Sequence, residues 1–598
     1  MTKFNFKHRL VASIPMVMLL LSTACEKAQI KKEISGPSDF TLSFHVNAVS
    51  SSNSFEPIIK TAYTAADDKV AIKSTRENKV SKQIMRKIAS KSIQIDGIEA
   101  RMTLAESNST STYSKNDSNL VDKVYYSNRK NKVNLIQMST NRKYRVLIYN
   151  TDVNGNATTF VTQGQSSAGA PLNLPVNRNK KYRWIAYSFN NENDIPPVSI
   201  SDPKINVNVS NNGMQEDFLY STGLILTSDV INGQNPIAIT FSRHLAMIRL
   251  EINSRGVFAP ISTANVDIVT TPSGFKNGIF ALLNGSYSST SSATTVNNQN
   301  WNNILSDTIP LNWAKYQDFY SVATSASMKL RIKINAITVV SDRIQDDAPN
   351  SSTKKPRTFQ NVTFDFPDFV AKPGRKYQAL LQLLESPIKR GNTYWARGNL
   401  YYDPSISRNE YRFRYDNPYF KNINGGVNNI LATDYWYGGL RPNLPADPTV
   451  DPCSEVYPKG LWRLPERGEF TELINSRNPA VTRVNQVGNQ GWYISWANVA
   501  EVGSPTHPHK NLIFTALGNK NTNGQIQNFN YSPGNNIIGN RGAVMGDKGY
   551  YRTNHTLDYF VMNYRRSFQN TDLQLVTSTF YVRIAAPIRC VRVTPPNS

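Results

Sequence analysis

A pair of cysteines in the C-terminal part of the chain constrains the fold more than any other sequence feature. The sequence contains 3 cysteines, and Cys25 belongs to an N-terminal targeting segment. Cys453 and Cys590 are therefore the one pair left for the folded part. Export would place both in a compartment where a disulfide can form, so we expect them to be joined. That bond would tie together the first and last elements of one C-terminal domain.

The segment after Cys453 predicts a turn, a short apolar strand and then a helix. Pro465 suits a first helical position, where its missing N–H costs nothing. Glu466 and Glu469 suit the positive end of a helix dipole. Phe470 and Leu473 recur at helical spacing, so the helix is expected to bury one face.

The N-terminus has the features of a bacterial export signal. Basic residues precede the apolar run 10–21, which is too short to span a bilayer. The run ends in Leu-Ser-Thr-Ala-Cys25, which is similar to a lipobox, although Ser22 stands where Leu is commoner. This similarity implies that residues 1–24 are removed and that Cys25 is lipidated. Ordinary secretory cleavage is the alternative.

Period-two alternation dominates the next several hundred residues. Phe40, Leu42 and Phe44 alternate with polar residues and predict a half-buried first strand. Short runs of the same kind, separated by turn residues and with almost no helical pattern, continue to about residue 384. This arrangement favours β-sandwiches.

One long segment interrupts this pattern. Residues 51–118 show weak periodicity and include a tract rich in Ser, Asn and Thr. We expect an exposed loop that proteases can reach. It offers Arg76, Arg86 and Arg101 as candidate processing sites.

The formal charge of +24 comes from basic residues spread along the chain. Nucleic-acid binding calls for basic residues gathered in a patch with interleaved aromatics, so we expect no nucleic-acid partner. A generally basic surface can still favour contact with anionic glycans or cell surfaces as a long-range bias.

The sequence shows no catalytic constellation, since a nucleophile elbow, a phosphate-binding glycine loop and a His-Glu-x-x-His helix are all missing. We therefore expect no enzyme activity, no cofactor and no metal site. The remaining candidates for recognition are aromatic residues among Gly, Asn and Ser, which could stack on a sugar or anchor a protein partner. Core packing is the alternative for each of these residues, which are Tyr435, Trp436, Trp492, Tyr550 and Tyr551.

Five motifs follow one another along the chain. They are Tyr-Arg-Val-Leu-Ile-Tyr at 144–149, Trp-Ile-Ala-Tyr-Ser-Phe-Asn at 184–190, Asp-Phe-Leu-Tyr at 217–220, Phe-Ser-Arg-His at 241–244 and Gly-Arg-Lys-Tyr at 374–377. Their order resembles the fimbrillin-like pilins of Bacteroidetes, which are lipoproteins with two transthyretin-like β-sandwich domains. The resemblance covers about residues 39–388 and implies an N-terminal sandwich with an exposed cleavable loop at 25–225 and a second sandwich at 226–388.

The C-terminal region has a resemblance of its own. Trp-Ala-Arg-Gly-Asn-Leu-Tyr-Tyr-Asp at 395–403, the segment 453–473 and Ile-Arg-Cys-Val-Arg at 588–592 are similar to the Fibrobacter major paralogous domain. That module is related to C-type-lectin-like folds, which implies an α+β lectin-like domain at 389–598. A lectin-like fold does not by itself imply sugar binding. The expected fold class is therefore mainly β, with two transthyretin-like β-sandwich domains followed by an α+β C-type-lectin-like domain.

Together these resemblances imply a structural or adhesive subunit of a cell-surface pilus, in a tip or accessory position. Its partners would be other pilin subunits, joined by donor-strand exchange, with a glycan or host-surface protein as a further ligand. The N-terminal lipid would hold it to the outer membrane before processing. The alternative is a surface lipoprotein that never polymerises and binds a glycan or host protein through its C-terminal domain.

Overall fold

The structure is a computed structural model, and the statements below concern the residues that it describes. These are 38–51, 84–95, 98–108, 134–209, 217–269, 271, 274–293, 296–298, 301–304, 309–341, 355–415, 434–442, 444–476, 479–486, 489–497, 511–520, 526–527, 548–555, 558–564, 571–577 and 584–594.

Strands make up most of the regular structure, so the prediction of a mainly β protein is confirmed. The first strands are β1 (Phe40–Ser51), β2 (Ile84–Ile95), β3 (Ile98–Asn108), β4 (Asn134–Ile136), β5 (Lys143–Thr151), β6 (Ala157–Ser167), β7 (Leu172–Val176), β8 (Lys181–Ser188), β9 (Lys204–Val207), β10 (Leu219–Leu226) and β11 (Gly233–Arg243). The next are β12 (Leu245–Gly256), β13 (Ile261–Ile268), β14 (Lys276–Ala281), β15 (Ser286–Ser292), β16 (Val296–Asn298), β17 (Asn302–Asn303), β18 (Ala314–Val322), β19 (Arg331–Ser341), β20 (Lys355–Asp365) and β21 (Lys376–Glu385).

The C-terminal region combines one α-helix with short strands. These elements are β22 (Ile388–Arg390), β23 (Thr393–Trp395), β24 (Leu400–Tyr402), β25 (Tyr411–Phe413), β26 (Trp462–Arg463), α1 (Arg467–Asn475), β27 (Ala480–Gln486), β28 (Asn489–Trp496), β29 (Leu512–Thr515), β30 (Asn519–Lys520), β31 (Ile526–Gln527), β32 (Lys548–Arg552), β33 (Asp558–Tyr564), β34 (Thr571–Thr577) and β35 (Val591–Arg592).

The N-terminal unit is an eight-stranded sheet. Its order is β4-β1-β11-β10-β8-β5-β6. The eighth strand, β7, pairs with the first half of β1, on the edge where β4 pairs with its last residues. Tyr144, Val146 and Ile148 of β5 point into one buried core, together with Tyr182 and Trp184 of β8. The apolar residues that alternate with polar ones in the sequence thus form the inner face of this sheet.

The second unit pairs a six-stranded sheet, β17-β18-β12-β21-β3-β2, with a four-stranded sheet, β16-β13-β19-β20. Ile248 and Leu250 of β12 share a core with Ile332 and Ile334 of β19. Leu147 of β5 belongs to that same cluster. The two N-terminal units are therefore joined by continuous apolar packing.

The expectation of a loop over 51–118 is wrong for residues 84–108. The strands β2 and β3 form a hairpin there, and β3 pairs antiparallel with β21 from Tyr377 to Glu385. Ala100, Met102 and Leu104 are buried, and so is Glu99 on the opposite face of the strand. The alternation is hard to recognise in the sequence because both faces of β3 are covered.

The expected boundary between residues 225 and 226 does not follow the sheets. Strand β11 lies beyond that boundary but pairs with β1 of the N-terminal unit. Strand β9 lies before it but pairs with β14. The chain therefore crosses between the two units more than once.

The predicted helix is present as α1. The Glu466 side chain and the Glu469 side chain make a capping box at its start, and Phe470 and Leu473 are buried. Pro465 precedes the helix rather than occupying its first turn. The dipole and capping arguments therefore identified the correct residues, with the start shifted by two positions.

Buried polar contacts join the C-terminal region to the second unit. Arg592 of β35 approaches Glu99 of β3 at 2.5 Å, and both side chains are fully buried. Gln382 of β21 donates a hydrogen bond of 2.6 Å to the Tyr457 hydroxyl, and the Arg255 guanidinium lies 4.0 Å from the Tyr457 ring centre. These contacts fix the C-terminal region against the face of the six-stranded sheet.

We predict that the ion pair between Arg592 and Glu99 is a main element of this fixation. Arg592→Ala should lower the free energy of unfolding by about 1.5 to 3 kcal/mol, because it removes the charge-assisted hydrogen bond to Glu99 Oε2 while Ser92 and Arg101 stay on Oε1. Arg86→Ala is the matched control, since Arg86 is 68% exposed and lies 3.6 Å from Glu106. That change should cost no more than about 1 kcal/mol. Urea unfolding followed by tryptophan fluorescence measures both, and equal losses would contradict the prediction.

Candidate functional site

The strand β1 fills a groove in the N-terminal sheet and is paired along both of its edges. On one edge it runs parallel to β11, from Phe40 opposite Gly233 to Ser50 opposite Ser242, with a register shift between Val46 and Ala48. Its other edge pairs antiparallel with β7 and then with β4. The first described strand of the chain is therefore an inner strand of its sheet.

The apolar side chains of β1 form part of the core. Phe40, Leu42 and Phe44 are all buried, and the Phe44 ring contacts the edge of Trp184 with the ring centres 6.0 Å apart. The fit is close at the start of the strand, because a Cβ at Gly233 would lie 2.4 Å from Phe40 Cε2. The groove is thus shaped for large side chains at every second position.

Polar contacts hold β1 at its middle and at its start. The Tyr144 hydroxyl lies 3.2 Å from the Phe44 carbonyl oxygen and 3.1 Å from that of Ala170. Burial raises the pKa of Tyr144 to about 12, so the hydroxyl keeps its proton and can donate it. Arg178 Nε lies 2.7 Å from Asp39 Oδ2 just before the strand begins.

This geometry defines what the groove can bind. Without β1, β11 would lose its parallel partner, β7 and β4 would lose theirs, and an apolar channel would open. Unpaired strand edges of this kind are templates for an added strand. A strand with large apolar residues at alternate positions would restore both the hydrogen bonds and the packing.

The structure gives the candidate processing arginines different settings. Arg86 lies on the exposed edge strand β2, whereas Arg101 lies on β3 between Ser92 of β2 and Gln382 of β21. A protease could reach Arg101 only if that pairing opened first. Arg76 and the predicted lipidation site Cys25 lie outside the described residues.

The proposal of aromatic ligand contacts is wrong for Tyr435 and Trp436, because both side chains are buried. The Tyr435 hydroxyl donates a hydrogen bond to the Leu517 carbonyl oxygen, and burial raises its pKa well above the ordinary value. Trp436 Nε1 donates to the Leu400 carbonyl oxygen at 3.3 Å. The surrounding Gly residues made this segment look like a loop, but these rings belong to the domain core.

The same correction applies to Tyr550 and Tyr551, which are buried on β32. The Tyr551 hydroxyl accepts a hydrogen bond from Thr515 N at 2.9 Å and lies 3.0 Å from the Thr515 carbonyl oxygen. The backbone of Trp492 pairs with Arg483 across β27 and β28, and its side chain lies outside the described part.

The disulfide predicted between Cys453 and Cys590 is present. Both residues are buried and pack with Trp462 and Ile588. Next to the bond, Arg589 Nη2 donates to the Ile513 carbonyl oxygen at 2.7 Å. The chain is thus held on both sides of Cys590, by the Arg589 contact before it and by the pairing of β35 after it.

Within the described ranges, no three side chains of His, Cys, Asp or Glu lie close enough together to hold a metal ion. In the same ranges, no helix has the length and apolar composition that a membrane span requires.

Sequence reasoning identified β1 but missed its partners in the groove. Leu172, Leu174 and Val176 of β7 alternate with Asn173 and Pro175, and all three face the core. That alternation was a usable signal in the sequence. The roles of Tyr144 and Arg178 could not be read in this way, because they depend on contacts with a strand about a hundred residues earlier.

No protein-family profile matches the chain, and no curated protein matches it either. Several solved structures show a distant likeness. A candidate cell adhesion protein of Bacteroides ovatus is 13% identical, with 42% of this chain and 86% of that chain covered and a TM-score of 0.27. A candidate cell adhesion protein of Bacteroides fragilis is 10% identical, with 47% and 94% covered and a TM-score of 0.26.

The fimbrial anchor protein Mfa2 of Porphyromonas gingivalis is 12% identical, with 34% of this chain and 72% of that chain covered and a TM-score of 0.22. At such low TM-scores these likenesses carry no argument about function.

We predict that the packing of β1 contributes strongly to the N-terminal sheet. Phe44→Ala should lower the free energy of unfolding by about 3 to 5 kcal/mol, because it removes a buried ring and leaves a cavity. His45→Ala is the matched control, since the neighbouring His45 side chain is exposed. That change should stay within about 0.5 kcal/mol. Chemical denaturation measures both, and a similar cost for the two variants would show that β1 is only loosely held.

The disulfide gives a separate prediction. In a chain carrying Cys25→Ala, thiol titration of the denatured, unreduced protein should find no free thiol. Removing the bond with Cys453→Ser and Cys590→Ser should destabilise the C-terminal region by about 4 to 5 kcal/mol, because the sequence separation is 137 residues. Two titratable thiols in the unreduced protein would refute the pairing.

Proposed function

We propose that this protein is a structural or adhesive subunit of a cell-surface pilus, and that the groove occupied by β1 accepts a strand from another subunit. The observation that carries the proposal is the position of β1. It is the first described strand, yet it is paired on both edges and packs three large apolar side chains into the core. A strand so placed can be exchanged without rebuilding the rest of the sheet.

Exchange requires that β1 be separated from the chain, and the sequence offers a suitable place. Residues 52–83 lie between β1 and β2, and Arg76 is the one arginine among them. We propose cleavage after Arg76, because a cut there would free β1 together with the lipid on Cys25. The hairpin of β2 and β3 would stay in the six-stranded sheet.

The other end of the described chain supports an accepting role. Val591 of β35 pairs with Trp395 and Arg463, and Arg592 is buried against Glu99. The adjacent Cys590 is covalently tied to Cys453. A strand held in this way is poorly suited to leave and fill a groove elsewhere. We propose that the subunit accepts a strand but does not donate this one, which fits a tip or accessory position.

The C-terminal region is the proposed adhesive part, with the lectin-like fold that its motifs imply. Before processing, the lipid on Cys25 would hold the protein at the outer membrane. The alternative is a surface lipoprotein that never polymerises and binds a glycan or host protein through the same region. The burial of Tyr435, Trp436, Tyr550 and Tyr551 removes these four rings as ligand contacts in either proposal.

Strand capture tests the proposal directly. The full mature chain is cut with an arginine-specific protease and the released N-terminal fragment is separated in dilute denaturant. A fluorescent peptide with the sequence of residues 39–51 is then added. We expect it to bind the cut protein but not the uncut protein, because only the cut protein has an open groove. Fluorescence polarisation measures the binding.

Two matched controls make the result specific. A peptide with Phe40, Leu42 and Phe44 replaced by Ser should not bind, because it cannot fill the apolar channel. Arg76→Gln should block the separation of a fragment that ends at residue 76, whereas Lys73→Gln should leave that fragment unchanged. A cut core that loses β1 and captures no peptide would refute strand exchange.

A further inference from the structure

One end of the N-terminal sheet gathers exposed aliphatic side chains. We call this end the apolar tip and define it by Val153, Leu224, Leu226, Val230 and Ile231. Their exposed fractions are 95%, 43%, 64%, 61% and 63%. Among the described residues these are five of the twelve large apolar side chains that are strongly exposed. Single exposed aliphatics are ordinary, whereas contiguous apolar patches mark interaction surfaces.

Strand pairing and turns bring these residues together. Leu226 lies opposite Lys181 where β10 ends and β8 begins. The turn that contains Val153 packs on Leu224, because a Cβ at Gly155 would lie 2.9 Å from Leu224 Cδ1. The turn that contains Val230 and Ile231 follows β10 directly and leads into β11.

The start of β1 lies at the same end. Asn232 N donates to the Asp39 carbonyl oxygen at 2.8 Å, and Gly233 lies opposite Phe40. The chain therefore enters the described structure beside Val230 and Ile231. In the sequence only 13 residues, 26–38, separate this point from Cys25. Fully extended, they would span no more than about 45 Å.

We propose that the apolar tip docks on the lipid surface to which the protein is tethered, before β1 is removed. The inference rests on the proposed lipid at Cys25 and adds to it a second contact made by the folded domain. The tether keeps the domain near the membrane but does not by itself orient it, so apolar side chains at the tethered end can add a contact with the lipid. Aliphatic side chains on turns can enter the boundary between headgroups and acyl chains.

The tip carries charges of both signs, since Asp152 adjoins Val153 and Asp229 adjoins Val230. Lys180 and Lys181 are exposed beside Leu226 and can reach anionic headgroups while their stems lie along the apolar surface. Arg178 is taken up by ion pairs with Asp39 and Asp229, so it adds little free positive charge. The apolar contact should therefore contribute more than the electrostatic one.

Vesicle co-sedimentation of a chain without lipid tests the docking. The full mature chain carrying Cys25→Ala is mixed with vesicles of phosphatidylethanolamine and phosphatidylglycerol. We expect it to sediment with them. Val153→Ser, Leu226→Ser and Ile231→Ser together should lower the partition coefficient at least about tenfold, because three aliphatic side chains are lost from the contact. Raising the salt concentration should weaken binding only modestly.

The control variant carries Leu311→Ser, Val370→Ser and Leu444→Ser, which alter exposed aliphatics outside the tip, with exposed fractions of 62%, 45% and 45%. It should bind vesicles as the Cys25→Ala chain does, and thermal unfolding should show both variants folded. Absence of vesicle binding by the Cys25→Ala chain, or equal binding by the tip variant, would overturn the proposal. A tip variant that binds vesicles normally but fails to capture the β1 peptide would likewise overturn it, in favour of a contact between subunits. Membrane fractionation of cells producing the unaltered chain or Cys25→Ala tests the tether separately.

Discussion

The backbone pairing of β1 along both edges is the interaction on which the N-terminal half depends. It joins β11, which comes from beyond residue 225, to β7 and β4, which come from the stretch before it. The Tyr144 hydroxyl adds a contact to the backbone at Phe44. One strand thereby closes a sheet whose other members are far apart in sequence, so its removal changes the whole unit at once.

The hairpin of β2 and β3 extends this dependence to the C-terminal region. Through β21 it belongs to the six-stranded sheet, and through Glu99 it holds Arg592 next to the disulfide. A buried ion pair is costly to break from one side, so it fixes the relative position of the two parts even where its net contribution to stability is small. Side-chain contacts, and not only the covalent chain, therefore hold the C-terminal region against the second unit.

The sequence predicted the strand at Phe40 from alternation, the helix at Phe470 from capping and spacing, and the pair of Cys453 with Cys590 by elimination. It was misleading for residues whose burial depends on partners far away in the chain. Glu99 and Arg101 looked like residues of a solvated loop because their partners, Arg592 and Gln382, lie hundreds of residues away. Tyr551 looked exposed because its neighbours in sequence are turn residues, although Thr515 satisfies its hydroxyl.

The topology also limits where processing can occur if the proposed exchange is correct. A cut after Arg101 would divide β3 within its pairing to β21 and separate Glu99 from the rest of the strand. A cut after Arg86 would fall inside β2 and leave part of that strand on the released fragment. A cut after Arg76 leaves the whole hairpin, the Glu99 contact and the docked C-terminal region in place. Opening the chain between β1 and β2 is therefore the cut that would permit the proposed strand exchange and keep every strand of the six-stranded sheet whole.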